Sequence, residues 1–143
     1  MDKFVLFFLI FTLSSTTKAD NFICLAEKAS GFSYNSLSKE WVPSTFTTNA
    51  KYVLSKDKSS SNMYVVNKIG DDNNEFSCKD GINAAGFIFC KTFGATAEFR
   101  MNINNLRFIS GSILGYYNVT PKGNITDESS NTPFIEIGKC SKF

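Results

Sequence analysis

The sequence predicts an all-β domain: a small antiparallel meander forming a barrel or sandwich, stapled by two disulfides. Three observations lead there. Runs rich in Phe, Tyr, Ile, Val and Thr recur at short, fairly even intervals, separated by clusters of Gly, Asn, Asp and Ser. Segments with helical periodicity are scarce. Four cysteines, Cys24, Cys78, Cys90 and Cys140, follow an apolar N-terminal segment, the arrangement of an exported chain whose thiols oxidise in pairs.

Taken in chain order, Met1-Asp2-Lys3 precede the apolar run FVLFFLIFTL and a short stretch of small residues. That run has the length of a signal h-region and falls short of the ~20 apolar residues that span a bilayer. Cleavage after Ala19 is expected, which divides the chain into a signal peptide (1–19) and a single β domain (20–143). Residues 24–30 are expected to form a short helical turn. Residues 31–34 and 40–42 then flank 35–39 as a hairpin, from which Trp41 is expected to pack, mostly buried, against a sheet spanning 87–99. Residues 51–55 and 63–69 flank a loop, and 80–85 is a second candidate helical turn.

The clearest stretch runs from Gly86 to Val119. Phe87, Phe89 and Phe93 share one face, while Ala97, Phe99, Met101 and Ile103 repeat at period two and leave Glu98, Arg100 and Asn102 to meet water. Asn104-Asn105 tolerates positive φ and suits a tight turn, and Gly111-Ser112 fits a second, so that strands at 106–110 and 113–119 complete a four-stranded meander. The final strand is 134–140. Four cysteines permit three connectivities. Cys78 with Cys90 closes a local Gly/Asn/Asp-rich loop and Cys24 with Cys140 ties the first strand to the last, so this pairing is preferred. With no C-x-x-C pair and no histidine, a zinc site is not expected.

Composition narrows the function. The formal net charge is +2, and losing Lys3, Lys18 and Asp2 with the leader changes it by one. Such a near-neutral chain lacks the basic patch or stripe that recruits nucleic acid or an anionic membrane. The absence of histidine removes the commonest general base and the usual partner of a serine or cysteine nucleophile. Paired carboxylates remain open to a small hydrolase, with Glu27, Glu40, Glu98 and Glu136 on or near strands. The acidic stretch from Asp71 to Glu75 offers oxygen ligands for calcium without the spacing of an EF-hand loop. Most of the aromatic surplus belongs to a core. Trp41, Tyr116 and Tyr117 are the best candidates for a half-wet binding surface, and on a strand the two adjacent tyrosines face opposite ways.

Cys24, Ala26, Gly31-Phe32, Trp41, Phe46 and Lys51-Tyr52, followed by FRMNINNLRF (99–108) and TPFIEIGKC (132–140), resemble a family of small secreted bacterial proteins of unassigned function. The resemblance implies a bacterial, exported protein and brings no activity. Ser110-Gly111, Tyr116 and Thr120-Pro121-Lys122-Gly123 are similar to the loop pattern of the periplasmic inhibitors of C-type lysozyme, with Pro121 inside the Thr-Lys-Gly stretch. That resemblance implies a small β-barrel in which Ser110 and Lys122 reach into the lysozyme active site. By elimination, the expectation is a secreted or periplasmic, non-enzymatic β domain that binds a protein or small-molecule partner. An enzyme inhibitor and a carboxylate-based hydrolase are the alternatives. No cofactor, metal, nucleic acid or membrane partner after signal removal is expected.

Overall fold

Alternation of inward and outward side chains builds the wall of the protein. In a computed structural model, which describes residues 21–60, 62–71, 75–120 and 124–143, antiparallel strands form one sheet. They are β1 (Phe22–Asn35), β2 (Glu40–Phe46), β3 (Lys51–Lys56), β4 (Tyr64–Lys68), β5 (Glu75–Cys78), β6 (Phe87–Lys91), β7 (Ala97–Asn102), β8 (Arg107–Ser112) and β9 (Phe134–Lys142). The leader expected at 1–19 lies outside the described residues.

Strand β1 is long enough to serve two neighbours on one edge. Its first residues pair with β3 and its last with β2, while β9 runs along the opposite edge from Phe22 to Gly31. The pairing of β1 with β9 closes eight strands into an antiparallel barrel, and β2 extends the wall as a hairpin with β1. The register shifts between Ala26 and Lys28, a bulge that bends β1. Gly138 faces this point, and a Cβ there would run into the Leu25 carbonyl oxygen and the Phe108 ring.

The inward rows fill one half of the barrel with rings. Tyr52 lies 5.5 Å from Phe99 and 5.7 Å from Phe108 between ring centroids, and Phe99 stacks on Phe108 at 5.1 Å. Leu54, Val66, Ile88 and Met101 complete this buried layer. Cys24 is bonded to Cys140, its direct cross-strand partner, so one disulfide locks the closing seam between β1 and β9. Cys78 is bonded to Cys90 across β5 and β6, where Ser77 and Lys91 form the one paired position between these two strands. The preferred connectivity is the one present.

Several local expectations are corrected. Residues 24–30 are strand rather than helical turn, because pairing with β3, β9 and β2 satisfies their backbone. Residues 80–85 form turns, with Gly81 and Gly86 at positive φ of 61° and 82° that no helix accepts. Gly111-Ser112 continues β8 instead of turning, and 113–119 is irregular, ending in a 3₁₀ turn at Tyr116–Asn118. The meander there has three strands, not four. In the β7–β8 connection Leu106, not Asn104 or Asn105, takes positive φ (57°), while the Asn102 and Asn105 carboxamides accept the Asn104 and Arg107 N–H groups.

Candidate functional site

One end of the barrel is polar where the rest is packed with rings. Register sets this up: Phe99 pairs with Ser110, Ser110 with Glu136 and Glu136 with Ala29, so these side chains share one inward row. Glu136 is 3% exposed. The Tyr52 hydroxyl donates to its Oε1 and the Thr48 hydroxyl, from the β2–β3 connection, donates to its Oε2 at 2.9 Å. Burial, and after it the hydrogen bond and negative charge of Glu136, push the Tyr52 phenol far above its ordinary value, while a bond from Ser110 opposes the shift. The single Ser110 hydroxyl hydrogen serves either this phenol or the Glu98 carbonyl oxygen, which lies 3.1 Å from its Oγ.

Above this cluster lies a cavity of about 680 Å³ walled by Tyr52, Lys68, Phe76, Ser110, Leu114 and Phe134. A smaller pocket of about 190 Å³ adjoins it, with Phe46, Thr48 and Glu136 in its wall. Thr132 and Phe134 line both. Tyr52 links them, lining the larger space while its hydroxyl donates to Glu136 in the wall of the smaller. The wall of the larger cavity mixes these rings with polar side chains, Thr92, Thr96, Ser112 and Asn131 among them.

The four carboxylates do not converge. Glu98 faces outward and pairs with Arg100 at 2.8 Å, Glu27 lies 3.7 Å from Lys139 on the outer wall, and Glu40 is exposed at the tip of the β1–β2 hairpin. Glu136 alone of the four faces the interior. Residues 72–74 of the acidic stretch lie outside the described residues, and among the described ones no three His, Cys, Asp or Glu side chains gather as a metal would require.

Trp41 is not in the core. It pairs with Tyr34 on the part of the β1–β2 hairpin beyond Gly31, where β9 has already ended, so its ring cannot reach the barrel interior. It is half-buried between Tyr34 and Tyr116, each 5.8 Å away between centroids, and its Nε1 donates to Asp127 at 2.6 Å. Tyr116 and Tyr117 sit on the 3₁₀ turn, both exposed, rather than on opposite faces of a strand. This cluster, with the Lys39–Glu128 ion pair, fastens the 113–133 connection to the hairpin. Ser110 lies apart from it, inside the barrel, with its hydroxyl committed to the wall. Lys122 lies outside the described residues.

No family model, curated protein or solved structure matches the chain.

Phe87 and Phe89 share one face, as their period-two spacing predicts, and it is the outer one. They pair with Asn102 and Arg100 and so share the outer face with them, leaving Ile88 and Cys90 to point inward. With Ile109 and Ile137 they floor an external groove of about 670 Å³ beside Arg100, whose guanidinium lies 5.6 Å over the Phe89 ring. Neither Tyr52, which enters the sequence reading only through the family resemblance, nor Thr48 is among the candidate site residues expected from sequence. Their one visible signal is position: Tyr52 alternates with Leu54 on an apolar face, which marks it as inward but not as a partner for an acid.

Proposed function

We propose that the protein is an exported, non-enzymatic binding domain that takes one small amphipathic ligand into the open end of its barrel. The observation that carries this is the cavity of about 680 Å³ beside the Tyr52–Glu136 pair. Its size falls within the ~300–1,000 Å³ common for ligand pockets, and an eight-stranded barrel is just wide enough to hold one small ligand. A packed core has no use for a carboxylate, whereas a binding site uses it to orient a polar head. The leader-like N-terminus and the two disulfides support export to an oxidising compartment, secreted or periplasmic.

The test is a fluorescence titration of the oxidised protein with N-phenyl-1-naphthylamine, an uncharged apolar probe that brightens out of water. Thr132 is exposed and lines both spaces, so Thr132→Trp obstructs the opening without disturbing the rings below. Saturable binding that weakens at least about tenfold in Thr132→Trp, or ~1.4 kcal/mol, is expected. No binding, or equal binding by both proteins, would refute the proposal.

A further inference from the structure

We infer that the ligand carries a primary ammonium group, which docks in the small pocket against Glu136 while its apolar body extends along Phe134 into the larger cavity. The inference rests on the ligand-binding reading above and names the chemistry of the head. It starts from a charge without a counter-charge. Lys39–Glu128, Arg100–Glu98 and Lys139–Glu27 pair elsewhere on the surface, and among the described residues no ion pair involves Glu136. Neutral hydroxyls are its partners, from Tyr52 and Thr48.

A carboxylate has about four acceptor directions, so two donors leave it unsaturated. Placing it away from water is expensive unless it is paired, and hydroxyls offset only part of that cost. A donor with a full positive charge completes it. The pocket offers what such a head requires: the Glu136 carboxylate, the Thr132 side chain on the wall and the Phe46 and Phe134 rings around them. An aromatic face attracts a cation, so the rings reinforce the preference. A carboxylate or phosphate head would meet Glu136 as a like charge. Lys68 lines only the larger cavity, where it faces the body of the ligand rather than its head.

Three eight-carbon probes that differ in the head alone test this by calorimetry at neutral pH: octylammonium, 1-octanol and octanoate. Octylammonium is expected to bind at least about tenfold more tightly than octanol, the ratio for one charge-assisted hydrogen bond, with octanoate weakest. Glu136→Gln keeps the size and hydrogen-bonding capacity of the side chain and should bring octylammonium and octanol within about threefold of each other. Octanoate binding most tightly, or an ammonium preference that survives in Glu136→Gln, would overturn the inference. Should Glu136→Gln fail to fold, Thr48→Val answers the same question. It withdraws one donor from the carboxylate, so octylammonium should bind severalfold more tightly, and unchanged or weaker binding counts against the assignment. Failure of all three probes to bind overturns the cavity reading itself, whereas octanol binding without an ammonium preference overturns only the head-group assignment.

Discussion

Removing the Tyr52 hydroxyl tests the polar end of the barrel most directly. Tyr52→Phe deletes one oxygen and leaves the ring, so its packing on Phe99, Phe108 and Phe76 at 5.5, 5.7 and 6.2 Å persists and no cavity term enters. What is lost is a hydrogen bond to a buried carboxylate that keeps only one other side-chain donor among the described residues, Thr48. Bonds to charged groups contribute about 1.5–3 kcal/mol, and the carboxylate left behind is less well satisfied, so Tyr52→Phe should cost about 2–3 kcal/mol. Glu136→Gln removes the charge together with its desolvation penalty and should cost about 1 kcal/mol. The two residues are in contact, so the double variant should fall short of additivity by about 1.5 kcal/mol. Urea denaturation with disulfides intact reads these values from the midpoint, provided the slope is unchanged. A coupling below about 0.5 kcal/mol would show that the pair does not act as a unit. In the same series Glu136→Leu should cost more than Glu136→Gln, since it relieves a buried charge but leaves the Tyr52 and Thr48 hydroxyls without their acceptor.

Three further outcomes follow from the geometry. The folded state holds the Tyr52 phenol neutral to a pH well above the ordinary value of about 10, so its contribution is complete below that pH and is lost above it. Unfolding free energy should therefore fall by up to ~1.4 kcal/mol per pH unit above pH 10, and Tyr52→Phe should remove that increment in a paired titration. Replacing Cys78 and Cys90 by serine opens the sparsely paired β5–β6 seam and should cost about 3 kcal/mol. Amide exchange should then rise in β5 and β6 before β1 and β9, and a uniform rise would argue against a local seam. Trp41→Ala should cost under about 2 kcal/mol by thermal or urea unfolding, rather than the 3–5 kcal/mol of a core indole, because the half-buried ring packs on two tyrosines outside the barrel.

The sequence made the class of fold legible because period-two alternation and turn chemistry are local. The Cys78–Cys90 loop and the β1–β2 hairpin were readable for the same reason. Other features depend on what lies across the sheet. The stretch LAEKAS favours helix by its own composition, yet β1 runs through it because strands on both edges take its backbone. Gly111 resembles a turn residue but sits in β8 since a Cβ would press on the Phe134 carbonyl, a close approach invisible without β9. The rings of Tyr116 and Tyr117 suggest strand, but Gly115 at φ 134° packs against Asn131 and Pro133 and breaks the run. Strand β5 escaped notice because it is four residues long and begins with a charge. Trp41 was misplaced for a related reason: ring size says that an indole will be covered, not by what.

Strand β9 carries the most information about function because it inverts the usual pattern. Cys140 must face inward to reach Cys24, and alternation then places Gly138, Glu136 and Phe134 inside while Ile137 and Ile135 stand outside. Slipping the strand by one residue would bury both isoleucines and release Glu136 to water, but it would also turn Cys140 away from its partner. The disulfide therefore holds the strand in the phase that hydrophobic burial alone would reject. A fold selected only for stability gains nothing from that phase, since local preference and global register disagree there. What the phase does provide is a carboxylate at the base of an open cavity, held by Tyr52 and Thr48. The cost of the inversion falls on the barrel, and the residue it places inside is the one suited to grip a cation.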